Sequence, residues 1–150
     1  MKYMKKYTLL FMITAALLFL YSCRRGSNAR VIGKDFITEY GEYISENNRY
    51  LINVSESPKG ILKYQIQKPD GTLIIQSEKH EVRIGIYHKW RLYWDDVSQT
   101  FWILSSDVGN YVWLAENNDI YAPYGLRKYL EENADFRNKV PERVLLFIDK

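Results

Sequence analysis

Between Tyr40 and Tyr121, apolar and polar residues alternate in short blocks, and the gaps between blocks leave no room for a crossover. Leu62, Tyr64 and Ile66 alternate with Lys63, Gln65 and Gln67. Tyr50, Ile52 and Val54 alternate with Leu51 and Asn53. A period of two sends one set of side chains to one face, as in a half-buried strand. Val82, Ile84 and Ile86 repeat the pattern, as do Trp90, Leu92 and Trp94, then Phe101, Ile103 and Ser105, then Tyr111, Trp113 and Ala115. Ser57-Pro58-Lys59-Gly60 and Lys68-Pro69-Asp70-Gly71 combine a proline that presets φ with a glycine that permits a left-handed exit, so both read as turns. Glu116-Asn117-Asn118-Asp119 closes a tight hairpin into Ile120-Tyr121. Parallel neighbours need a crossover of about a dozen residues or more, so these strands must pair antiparallel. The expectation is a mainly β fold, an antiparallel β-meander of about seven to eight strands curled or folded into a small sandwich or barrel.

The flanks read as helix. Phe36, Ile37, Tyr40 and Ile44 have helical spacing behind Asp35 as N-cap, with Gly41 interrupting. Pro123 opens a C-terminal helix that places Leu126, Tyr129 and Leu130 on one face. The apolar tail Pro141 to Ile148 fits either helix or strand, and Pro141-Glu142 tips it towards helix.

Ahead of the strands the composition changes. Met1 to Lys6 carries Lys2, Lys5 and Lys6 and no acid, and Thr8 to Leu20 is almost wholly apolar. Leu20-Tyr21-Ser22-Cys23 follows, with the chain's single cysteine. The apolar run would span about 20 Å as a helix, short of the roughly 30 Å hydrocarbon layer. The order of charged, oily and small-then-Cys resembles a bacterial lipoprotein signal peptide with its lipobox. Leu20, Ser22 and Cys23 fit, while Tyr21 stands where that family usually has a small residue. The resemblance implies cleavage before Cys23, loss of residues 1–22, and a lipid (palmitate among its acyl chains) on the Cys23 thiol that holds the chain to the membrane. An uncleaved N-terminal anchor is the alternative. Both place residues 24–150 outside the cytoplasmic membrane, with the positive end inside. Arg24 after Cys23, rather than an Asp, points by sorting analogy to the outer membrane in a Gram-negative cell. Residues 23–34 read as a polar tether and 35–150 as a single β-rich domain with a helical C-terminal part.

Removing residues 1–22, with three lysines and no acid, from 21 basic and 18 acidic side chains leaves 18 of each. The formal charge of +3 therefore vanishes, and with it the basic excess that nucleic-acid binding requires. With Cys23 lipidated, no thiol remains for a disulfide, a nucleophile or a metal.

One short stretch resembles a known element. Ser105, Asp107, Gly109 and Trp113, within Ser105-Ser106-Asp107-Val108-Gly109-Asn110-Tyr111-Val112-Trp113, are similar to the Asp-box hairpin of sialidase-type propellers. The likeness implies that the carboxylate of Asp107 ties the turn's own amides, Gly109 takes a positive φ and Trp113 packs beneath. It occurs once, so it implies a hairpin and not a propeller, whose blades repeat.

Catalytic patterns are sparse. His80 and His88 lie eight apart, at opposite ends of one expected strand, too far to share a metal. Asp95-Asp96 with Asp107 fails the spacing of an EF-hand loop and fits turn chemistry better. No metal, cofactor or catalytic residue is expected. The aromatic residues from Tyr87 to Trp113 divide between two faces: Trp90, Trp94, Phe101 and Trp113 suit a core, and Tyr87, Tyr93 and Trp102 suit the opposite face. That face is either an exposed platform for a partner or a second core under the helices. The expected function is that of an envelope-anchored lipoprotein that binds a protein partner, as inhibitors, immunity proteins and assembly accessories do. A carbohydrate or peptidoglycan-fragment module is the first alternative and a weak hydrolase the second.

Overall fold

Two antiparallel-dominated sheets and a helical layer form the computed structural model, which describes residues 29–32, 35–117 and 120–148. Cys23, the signal-like segment and most of the tether lie outside the described residues. The first sheet runs in chain order: β1 (Arg30–Val31), β2 (Gly41–Ile44), β3 (Leu51–Glu56), β4 (Leu62–Gln67) and β5 (Leu73–Gln76). The second holds β6 (Trp90–Asp95), β7 (Thr100–Ser105), β8 (Tyr111–Asn117) and β9 (Ile120–Gly125). After them come α1 (Leu126–Glu132), a 3-10 segment (Ala134–Lys139) and α2 (Glu142–Ile148). Neither sheet closes on itself, so the barrel alternative falls away.

Register follows the alternation. Pairing Ile52 with Ile66 and Val54 with Tyr64 lines these four side chains on one face of the first sheet. Trp94 opposite Phe101 and Phe101 opposite Trp113 do the same on the second. The two faces share one core, in which Ile52, Tyr64, Phe101 and Trp113 are all buried. Burying side chains of this size stabilises by about 1.5–3 kcal/mol each relative to exposure. The far face of the second sheet builds another core: Trp102, Leu104 and Val112 pack with Leu126, Val140 and Val144 from the helical layer. β7 is therefore buried along its whole length, on both faces.

At Gly71 (φ 88°) the β4–β5 turn takes the left-handed exit that the Pro-Asp-Gly sequence predicts. The Asp70 carboxylate accepts the Thr72 N–H at 2.8 Å, which holds its acid below the usual carboxylate range.

Four expectations need correction. Phe36 to Ile44 is not helical: the Ile37 N–H and C=O bond to Leu92 on β6 at 2.8 and 3.0 Å, and Gly41–Ile44 forms β2. Its apolar residues serve different layers, Ile37 the inner core and Phe36 the outer. Val82 to Ile86 makes no ladder strand. Ile84 is buried, but among the described residues its backbone meets the first sheet only through Leu62–Ile84 and Gly60–Ile86 hydrogen bonds, around the bridge between Ile61 and Gly85. Pro123 lies inside β9 rather than opening a helix, and α1 starts at Leu126. β1 pairs with β2 in parallel and, with β5, lifts the strand count to nine.

Candidate functional site

The aromatic residues expected on one face do not stay together. Trp102 is 0% exposed, with its indole N–H donating to Thr100 Oγ1 at 2.8 Å and its ring stacked on Phe136. Tyr93 is also buried, packed edge-on against Phe36, with the Arg143 guanidinium 5.3 Å from its ring. The helical layer has covered both. Tyr87 alone remains outside, 91% exposed.

What surrounds Tyr87 is built from the connection between the sheets together with one turn of each sheet. Residues 77–89 carry the chain from β5 to β6, and Tyr87 sits at the tip of a Gly85–His88 turn closed by the His88 N–H to the Gly85 C=O at 3.2 Å. That turn is fastened from two sides. The Ile86 N–H donates to the Gly60 C=O at 3.1 Å, and the Gly85 N–H donates to the Asp107 carboxylate at 3.0 Å. Just beyond it, Lys89 and Ser106 exchange backbone and side-chain bonds at 3.0 and 3.1 Å. A Cβ at Gly60 would stand 3.6 Å from the Tyr87 ring, which therefore rests against the β3–β4 turn.

The hairpin residues named from sequence are the fastening. Gly109 takes φ 84°, Trp113 is buried in the inner core, and the Ser105 hydroxyl accepts the Asp107 N–H at 3.2 Å. The role implied for Asp107 differs: its carboxylate reaches across to Gly85 instead of tying its own turn. His88 Nε2 lies 3.8 Å from Asp107, beyond hydrogen-bond reach. His80, far from His88 in role, stands edge-on to Trp113 with ring centroids 4.4 Å apart. Partial burial, and then Lys79, hold its imidazole below the ordinary value.

Two aromatic neighbours were not legible as part of this patch. Tyr40, 43% exposed, stacks on half-buried Trp90 with centroids 5.9 Å apart and planes 22° from parallel. Burial raises the Tyr40 phenol, and Glu56 and Tyr87 add to the shift, so all three share this end of the molecule. Helical spacing expects Tyr40 on a helix face, and alternation expects Trp90 in the core. The Ile37–Leu92 pairing brings their two segments together.

Asp95 and Asp96 do turn work. Asp95 accepts the Val97 and Ser98 N–H groups at 3.3 Å and the Ser98 hydroxyl, and Asp96 accepts the Trp94 indole N–H at 2.8 Å. Among the described residues no three His, Cys, Asp or Glu side chains are placed to hold a metal, and no helix is long and apolar enough to cross a membrane. No protein-family model, curated protein or solved structure matches this chain.

Proposed function

We propose that this chain is an envelope lipoprotein, held outside the cytoplasmic membrane by lipid on Cys23, that works by binding a protein partner through Tyr87 and the Tyr40–Trp90 stack beside it. The observation that supports the reading is the way Tyr87 is presented. A ring 91% exposed on a turn bonded to Gly60 and Asp107 is already ordered, so a partner that covers it gains apolar burial without the cost of fixing the loop. Tyr and Trp are the side chains that concentrate binding energy at protein interfaces. Tyr40 and Trp90 turn their faces to each other, which leaves one open ring and favours a protein pocket over a stacked sugar. Catalysis has no part in the proposal.

The binding claim is tested with the full-length chain recovered from membranes after in-cell crosslinking. A stoichiometric protein complex whose yield falls about tenfold in Tyr87→Ser, at unchanged melting temperature, is expected. Retention on immobilised muropeptides with no protein partner transfers the site to the carbohydrate reading. Anchoring is tested by intact mass: Cys23→Ala loses both acyl mass and processing. A mass unchanged apart from the substitution leaves an ordinary uncleaved anchor.

A further inference from the structure

The turn that supports Tyr87 also borders a recess of about 320 Å³, between the β3–β4 turn and the chain leading out of β5. Its apolar part comes from Leu62, which is buried, with Ile61, Pro58 and Val82. Its charged part is mostly cationic. Lys59, Lys63 and Arg83 stand against a single carboxylate, Glu78, which Lys63 already pairs. Lys59 and Arg83 have no ion-pair partner among the described residues. Ser77 lines the same recess and is 7% exposed. Its oxygen accepts the Tyr64 N–H at 3.1 Å, and its hydroxyl proton has no acceptor among the described residues. His80 completes the wall, its ring backed by Trp113.

We infer that this recess binds a small anion with a short apolar body, a carboxylate or phosphate monoester whose head meets Lys59, Arg83 and Ser77 and whose body lies on Leu62 and Val82. Cationic donors at the rim favour an acceptor-only head, because charge-assisted bonds are about twice as strong as neutral ones. The volume lies at the small end of ligand sites, which run from about 300 to 1,000 Å³. An apolar floor with few placed polar groups is the usual composition of such a site. The inference does not depend on the protein-partner reading, since neither Tyr87 nor Tyr40 lines the recess.

The test is amide NMR titration of the intact chain with hexanoate, phenyl phosphate, acetate, inorganic phosphate and neutral hexanamide. Hexanoate or phenyl phosphate should shift the Ser77, His80 and Val82 amides, and should bind at least about tenfold more tightly than acetate, inorganic phosphate or hexanamide. The winner of the first two identifies the head group. Lys59→Gln with Arg83→Gln, both exposed and so harmless to folding, should weaken the tighter ligand by about tenfold. Equal binding of hexanoate and hexanamide, shifts elsewhere than this recess, or indifference to the double substitution would each overturn the assignment. Tyr87→Ser leaves the titration unchanged, so failure here and failure of the partner proposal are read separately.

Discussion

At the scale of single residues, the informative side chains are those whose environment contradicts their sequence neighbourhood. His80 reads as a surface imidazole, yet the fold sets it edge-on against Trp113, and burial holds its pKa below the ordinary 6.5. In the unfolded chain the same group takes a proton near pH 6.5. Between the folded and unfolded values the unfolded state binds more protons, so stability rises with pH across that window. His80 thus contributes stability that is fully present above about pH 6.5 and lost as pH falls through its folded value. Melting temperature should drop on acidifying from about pH 7.5 to 5.5, and His80→Asn should flatten part of that drop. An identical profile in the variant would remove His80 from the account. Asp107 is a second such residue. Its place in a hairpin was legible from Ser105, Gly109 and Trp113, but the amide it serves belongs to Gly85, 22 positions earlier, and no local pattern encodes that.

Elements were legible where one face is buried and the other is not. β3 and β4 alternate cleanly because only their inner face packs, and the β8–β9 hairpin was marked by its turn residues. Val82 to Ile86 shows why alternation is not the same as a strand. The side chains alternate because Ile84 enters the core, while the backbone meets β4 only at its start. Phe36 to Ile44 failed for the opposite reason: a helical spacing was overridden by pairing with Leu92, more than fifty positions on. β1 and β5 are short and carry no alternation, so nothing in the sequence marked them. β7 is the element on which both cores depend. Trp102→Ala should cost about 3–5 kcal/mol in urea unfolding, because it leaves a cavity between the second sheet and the 3-10 segment and removes the indole hydrogen bond to Thr100. A loss below about 1 kcal/mol would mean that the helical layer is not a packed part of the fold.

On the scale of the whole molecule, three layers divide the labour. The inner core joins the two sheets, and the helical layer seals the outer face of the second sheet. The connection between the sheets is left to present Tyr87, with Tyr40 just ahead of β2 and Trp90 at the start of β6. Of the three aromatics that alternation puts on one face, Tyr87 is exposed, while Tyr93 and Trp102 lie beneath the helical layer. Its actual companions are Trp90, at the start of β6, and Tyr40, ahead of β2, on segments that the long-range Ile37–Leu92 bridge joins. In the proposal, Tyr87 serves recognition and Cys23 serves location.

The most direct test of the central claim places a photo-crosslinking residue at position 87 of the full-length chain in its own cells, with position 128 on exposed α1 as the control. The account predicts one discrete protein adduct from position 87, none from position 128, and loss of the adduct when Asp107→Ala frees the turn. No adduct at 87, or the same adducts from both positions, would contradict it.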